Sequence, residues 1–109
     1  NFITAIGDIA WETDAESRFV YVSPQVETIL GYTPDELIGQ TPFDFLHPDA
    51  VPVNKKQFQA AVESRQKSVL HVSHWIHKDG QDVLLESNAI PQYDRNGSFS
   101  GFIGIDRKR

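Results

Sequence analysis

The sequence contains no cysteine and no methionine. Without cysteine there is no disulfide, no thiolate nucleophile, no iron–sulfur cluster and no cysteine-ligated zinc. A reducing, cytoplasmic setting is compatible with that lack. Long apolar runs are missing too: nothing approaches the ~18 residues that suggest a membrane-spanning helix. Basic charge is scarce, with ten Lys and Arg against fifteen Asp and Glu, a formal net charge of −5. Such a surface repels phosphate backbones and anionic lipids, so neither nucleic acid nor a membrane is an expected partner. The closing Arg107-Lys108-Arg109 is too short to reverse this. With no signal peptide and no methionine at its start, the chain reads as a piece of a longer polypeptide.

What is present is a folded domain's composition. At 109 residues there is length for one core, and seven Phe, three Tyr and two Trp can fill it. The breaks come in two styles. Between 23 and 49 they are Ser23-Pro24, Thr33-Pro34, Thr41-Pro42 and His47-Pro48. Proline suits the first helical position and a preceding Ser or Thr can cap it, so several short helices are expected. After 68 they are Asp79-Gly80 and Asn96-Gly97, hairpin turns between β-branched and aromatic runs. This predicts strands at 9–14 and 18–22 and short helices at 24–31, 34–38 and 42–46. A longer helix at 49–64 follows, from the spacing of Val53, Phe58, Ala61 and Val62, then antiparallel strands at 68–78, 82–93 and 98–107.

One stretch, Leu30 to Gln40, tests whether this punctuation is architecture or chemistry. Asp35 and Glu36 could form an acid/base pair. Each residue nevertheless has a structural role: Gly31 ends one helix, and Thr33, Pro34 and Glu36 make a capping box. Asp35 favours the same helix end, Leu37 and Ile38 are expected in the core, and Gly39 stops the turn. The stretch is a helix junction.

The segments YVSPQVETILGYTPDELIGQTPFDFLHPDA (21–50) and HWIHKDGQDVLLESNAIPQYDRNGSFSGFIGID (74–106) resemble the two halves of PAS domains, the sensory-box modules of signalling proteins. The resemblance implies an α+β fold, a five-stranded antiparallel sheet in the order 2-1-5-4-3 with short helices and one longer helix on one face, around a small cavity. Residues 1–7 would then be an N-terminal cap segment, 8–107 the core and 107–109 the start of a linker, one PAS domain in all. It also implies a role: sensing, with the signal passed to an output domain outside this chain, such as a histidine kinase or a diguanylate cyclase in a two-component or related bacterial system.

Cofactors are judged against that resemblance. Light-sensing flavin members carry a reactive cysteine where this chain has GQTPFDFL, so covalent flavin chemistry is disfavoured. Haem-binding members use a histidine on the long helix, and residues 49–66 contain none. Non-covalent flavin or a small metabolite stays open. Matching the last three strands to flavin-binding relatives turns Trp75, Leu85, Ser87, Ala89, Phe102, Gly104 and Asp106 inward. Where those relatives place flavin-binding amides, this chain has Trp75 and Leu85, which fill volume instead.

The expected ligand-binding residues are therefore Trp75, Leu85, Ser87, Phe102 and Asp106. A carboxylate facing an apolar interior needs a partner or takes a raised pKa. Candidate partners for Asp106 are Ser87, Ser73, His71 or a ligand; the alternative places it at a strand end, near water. His71, His74 and His77 suggest no metal site, because on a strand His74 faces away and the other two lie ~20 Å apart. No nucleophile–base set or phosphate loop is present, so no enzyme is expected.

By the same parity Leu70, Val72, Ile76, Leu84, Ile90, Ile103 and Ile105 face outward, where a one-sided sheet should be polar. Such a stripe calls for a cover. Phe2, Ile3 and Ile6 could supply one short helix, and a second copy the rest, giving a homodimer. Sensor-kinase relatives place an aspartate at the domain exit; this chain has Lys108 there. The expected function is a dimerising sensory module with room for a small ligand. The alternatives are a pure interaction module with a filled core, and a non-covalent flavin redox sensor.

Overall fold

The structure is a computed structural model, describing residues 6–109. Phe2 and Ile3 of the expected cap segment therefore lie outside the described residues. Strands β1 (Ile9–Thr13) and β2 (Phe19–Val22) lead into helices α1 (Gln25–Leu30) and α2 (Pro34–Leu37). Single 3₁₀ turns at Pro42–Asp44 and Pro48–Ala50 precede α3 (Val51–Glu63), and strands β3 (Val69–Ile76), β4 (Asp82–Tyr93) and β5 (Phe99–Lys108) close the chain. The sheet order is β2-β1-β5-β4-β3, antiparallel throughout, so the sequence's last strand lies at the centre beside its first. No helix among the described residues is long and apolar enough to cross a membrane.

The helix junction forms as its sequence requires. Gly31 ends α1 at φ 81°, its N–H donating to the Glu27 carbonyl at 2.9 Å. A side chain there would strike the His77 ring, since a Cβ would sit 2.5 Å from Cε1. Thr33 N–H donates to Glu36 Oε1 at 2.9 Å and Glu36 N–H returns to Thr33 Oγ1 at 3.4 Å. Lys78, from the β3–β4 turn, donates to the other Glu36 oxygen at 2.7 Å. The capping bond and this ammonium hold the Glu36 carboxyl below its usual range, the Lys78 contact being the larger cause.

Four expectations of local structure change. Ser23 does not cap α1; its hydroxyl accepts the Ala10 N–H at 2.9 Å, which extends the β1–β2 ladder. Ile38 is exposed rather than in the core, because α2 stops at Leu37 and the chain turns at Gly39. On α3 the inward positions are Val51, Asn54, Phe58, Ala61 and Val62, and Val53 is 67% exposed. The helical spacing of 51, 54, 58 and 61 is regular only if a polar Asn54 is admitted to the buried face. The stretch expected as a helix at 42–46 shortens to one 3₁₀ turn, whose start is held by Asp44 accepting from Thr41 N–H at 3.0 Å.

Candidate functional site: the interior between the sheet and α3

Alternation along the strands places every residue expected to face inward in the buried set or against it. Leu85 and Ala89 are fully buried, and Ser87, Phe102, Asp106 and Trp75 nearly so. Gly104, also buried, lies beneath the Trp11 indole; a Cβ there would approach Trp11 Cζ2 to 2.3 Å. Glycine at 104 thus lets the indole lie across β5. That placement brings Trp11 Nε1 to Asp106.

Asp106 is 4% exposed, at the position of β5 paired with Ile9 on one side and Ser87 on the other. Its Oδ1 accepts from Trp11 Nε1 at 2.9 Å and from Ser87 Oγ at 2.7 Å. Burial pushes the carboxyl up to about 6, against the two hydrogen bonds, which favour the ionised form. Of the partners expected from sequence, Ser87 is the one used. Ser73 instead accepts from Trp75 Nε1 at 2.7 Å, and His71 Nδ1 lies 3.1 Å from Gln57 Oε1 on α3. Burial holds the His71 imidazole below its usual value, hence neutral at neutral pH.

Asp106, Ser87, Leu85 and Trp75 line one interior cavity of about 30 Å³, room for about two or three water-sized groups. Phe102 does not line it. Its ring packs 4.9 Å from Phe58, and both rings face a surface groove with Phe43 and Phe99. Phe58 belongs to both the groove and the cavity, so a single ring forms part of the wall between them. Two polar members of the site, Trp11 and Asn54, escaped the sequence reading. Trp11 carries an inward parity with Ile9, but β1 is short and its partner lies 95 residues away. Asn54 also lines the cavity, and its Oδ1 is buried and accepts no hydrogen bond among the described residues.

No group of three or more metal-ligating side chains occurs among the described residues. His74 stacks on His47 at 4.5 Å between ring centroids, with Asp82 Oδ1 at 3.1 Å from its Nε2, and His77 Nδ1 accepts from Asp79 N–H in the next turn.

The other face of the sheet keeps its aliphatic stripe. Leu70, Leu84 and Val72 are exposed at 72, 48 and 43%, while Ile76, Ile90, Ile103 and Ile105 are half-buried. Register sets Leu70 opposite Asn88 and Val72 opposite Glu86, so polar residues interrupt the stripe between β3 and β4. Ile90 opposite Ile103 makes it continuous between β4 and β5. Ile6, expected to help cover the stripe, is fully exposed in the turn before β1. At the exit, Arg107 and Lys108 remain in the ladder opposite Glu86 and Leu85, and Arg107 Nη2 lies 3.3 Å from Asp8 Oδ2.

Comparison with known proteins agrees with this architecture. The aryl hydrocarbon receptor nuclear translocator homolog of Drosophila melanogaster is 36% identical over 74 residues, 68% of this chain and 12% of that protein. White collar 2 protein of Neurospora crassa is 34% identical over 79 residues, 71% of this chain and 15% of that protein. This chain thus spans a small part of those relatives' length. The crystal structure of the PAS domain of a protein from Colwellia psychrerythraea superposes with a TM-score of 0.86 at 27% identity, covering 95% of this chain and 87% of that one. A family model described as PAS fold matches residues 19–106, and the chain belongs to the PAS family.

Proposed function

We propose that this domain is a non-catalytic sensory module that takes a small ligand between the sheet and α3 and relays its occupancy to a second copy and to an attached output domain. The observation that carries the reading is Asp106, a buried carboxyl held by the neutral donors of Trp11 and Ser87 on the central strand β5. A change at Asp106 reaches the outer face through its neighbours Ile105 and Arg107, and Arg107 ties the exit to Asp8 at the start of β1. This pair lies next to Lys108, the position at which the resemblance expects an exit aspartate. Occupancy transmits a signal only if the ligand binds two sheet states unequally. A sensor histidine kinase or diguanylate cyclase is one output class for such a relay, and a transcriptional regulator another, since a relative matched over 85% of this chain is a bacterioopsin transcriptional activator. A cytoplasmic, cysteine-free homodimer is part of the same proposal.

A second reading has its own support. A 30 Å³ cavity is far below the ~300–1,000 Å³ of drug-sized ligand sites. On that observation the core is filled and the domain works by association alone. A non-covalent flavin would need Trp75 and Leu85 to move aside. Native mass spectrometry beside the denatured mass separates the readings. Extra mass lost on denaturation supports the ligand site, and a flavin mass would name the redox sensor. The bare chain at twice 12.3 kDa supports association alone.

A further inference from the structure

Within this interior three side-chain donors are already committed. Trp11 Nε1 and Ser87 Oγ both donate to Asp106 Oδ1, and Trp75 Nε1 donates to Ser73 Oγ. Asn54 Oδ1 is different: it lines the same cavity, its residue is 5% exposed, and it accepts nothing among the described residues. A buried acceptor without a donor costs about 1–3 kcal/mol, so an asparagine at a core position of a helix needs a reason. Helix α3 buries little else beside it, only Ala61 fully, and no described side chain supplies the missing donor.

We infer that Asn54 reads the ligand, and that the cavity takes a small uncharged molecule of a few heavy atoms bearing a hydroxyl or N–H that donates to Asn54 Oδ1. The class follows from three observations. The orphaned atom is an acceptor, so the ligand brings a donor. The other polar side chains of the wall, Asp106, Ser87, Ser73 and His71, are already engaged in hydrogen bonds, and the remainder is apolar, with Ile9, Val26, Leu30 and Leu85 among it, so the rest of the molecule is apolar. The volume admits only a few atoms. An anion is disfavoured because Asp106 and the Asn54 oxygen both face it with negative charge density. Because Asn54 sits on α3 while Asp106 sits on β5, one ligand would couple the helix to the central strand.

This inference rests on the interior being a ligand site, and the experiment keeps the two apart. Ethanol and xenon, which are comparable in size and differ in carrying a donor, are titrated into the ¹⁵N-labelled domain, reading the Asn54 side-chain amide and the Trp11 and Trp75 indole resonances. The expected result is saturable ethanol binding, weakened about tenfold in Asn54→Leu, with xenon binding unchanged or improved there. Asn54→Ala serves as the second variant if leucine unfolds the domain. Equal ethanol affinity in wild type and both variants overturns the role of Asn54 while leaving an interior site. Saturation by neither probe overturns the interior site itself.

Discussion

The two faces of the sheet invert the usual arrangement. The face covered by helices carries the buried carboxyl of Asp106 and the hydroxyls of Ser73 and Ser87, whereas the uncovered face carries Leu70, Leu84 and Ile103. On the inner face the polar groups hold one another: two donors converge on one Asp106 oxygen, and glycine at 104 makes room for the indole that supplies one of them. On the outer face Leu70, Leu84 and Val72 stay exposed, so their contribution depends on what covers them. One face builds a hydrogen-bonded interior, and the other leaves aliphatic side chains exposed. A fold alone requires neither.

The largest blow to the inner face is Gly104→Val. The new side chain meets the Trp11 ring and forces it off β5, so stability should fall by about 3 kcal/mol, the upper end for overpacking, with Trp11 fluorescence shifted to that of a wetter indole. Urea unfolding checks this, and an unchanged midpoint would show that β5 has slack.

Asp106→Asn has the opposite sign at neutral pH. Its folded pKa is raised above the unfolded value, so the native state holds the proton more tightly. The stability this supplies is complete below about pH 3.8 and is lost as pH rises through about 6. The asparagine can still accept from Trp11 and Ser87 without burying charge. The variant should therefore be more stable than wild type by about 1–2 kcal/mol at pH 8, with the gap closing near pH 4. A pH-independent gap would place Asp106 in contact with water.

Ser87→Ala removes one of the two hydrogen bonds that favour the carboxylate. About 1 kcal/mol should be lost at pH 8, and the pH-dependent loss of stability should move to higher pH. Calorimetry from pH 4 to 8 reads both effects.

Leu84→Glu acts on the other face. Exposed substitutions shift folding by about 0.5 kcal/mol or less, yet a charge in the stripe should weaken self-association by at least about tenfold. Sedimentation at several concentrations decides it. A variant that associates like wild type would move the dimer contact elsewhere, and one that fails to fold would show that the stripe belongs to the core.

The sequence determined which residues share a face. Parity along β3, β4 and β5 is local chain geometry, so which residues of a strand share a face was legible one strand at a time, while the resemblance said that the face of Trp75, Ser87 and Asp106 points inward and that of Leu70 and Leu84 outward. The caps were legible for the same reason: Thr33 and Glu36 answer each other within one turn. Where a local signal had a competitor it misled. Ser23 was free to cap α1 and instead pairs with Ala10, and Val53 looked apolar enough for the core while Asn54 took the place.

Tertiary structure alone decided the site. Which donor reaches Asp106 depends on β1 lying beside β5 and on the space above Gly104, contacts between residues some ninety positions apart. Whether Asn54 finds a partner depends on how α3 settles over the sheet, and how much cavity remains depends on the rotamers of Trp11, Trp75 and Phe58 together. Close packing makes those quantities collective, so no stretch of sequence contains them.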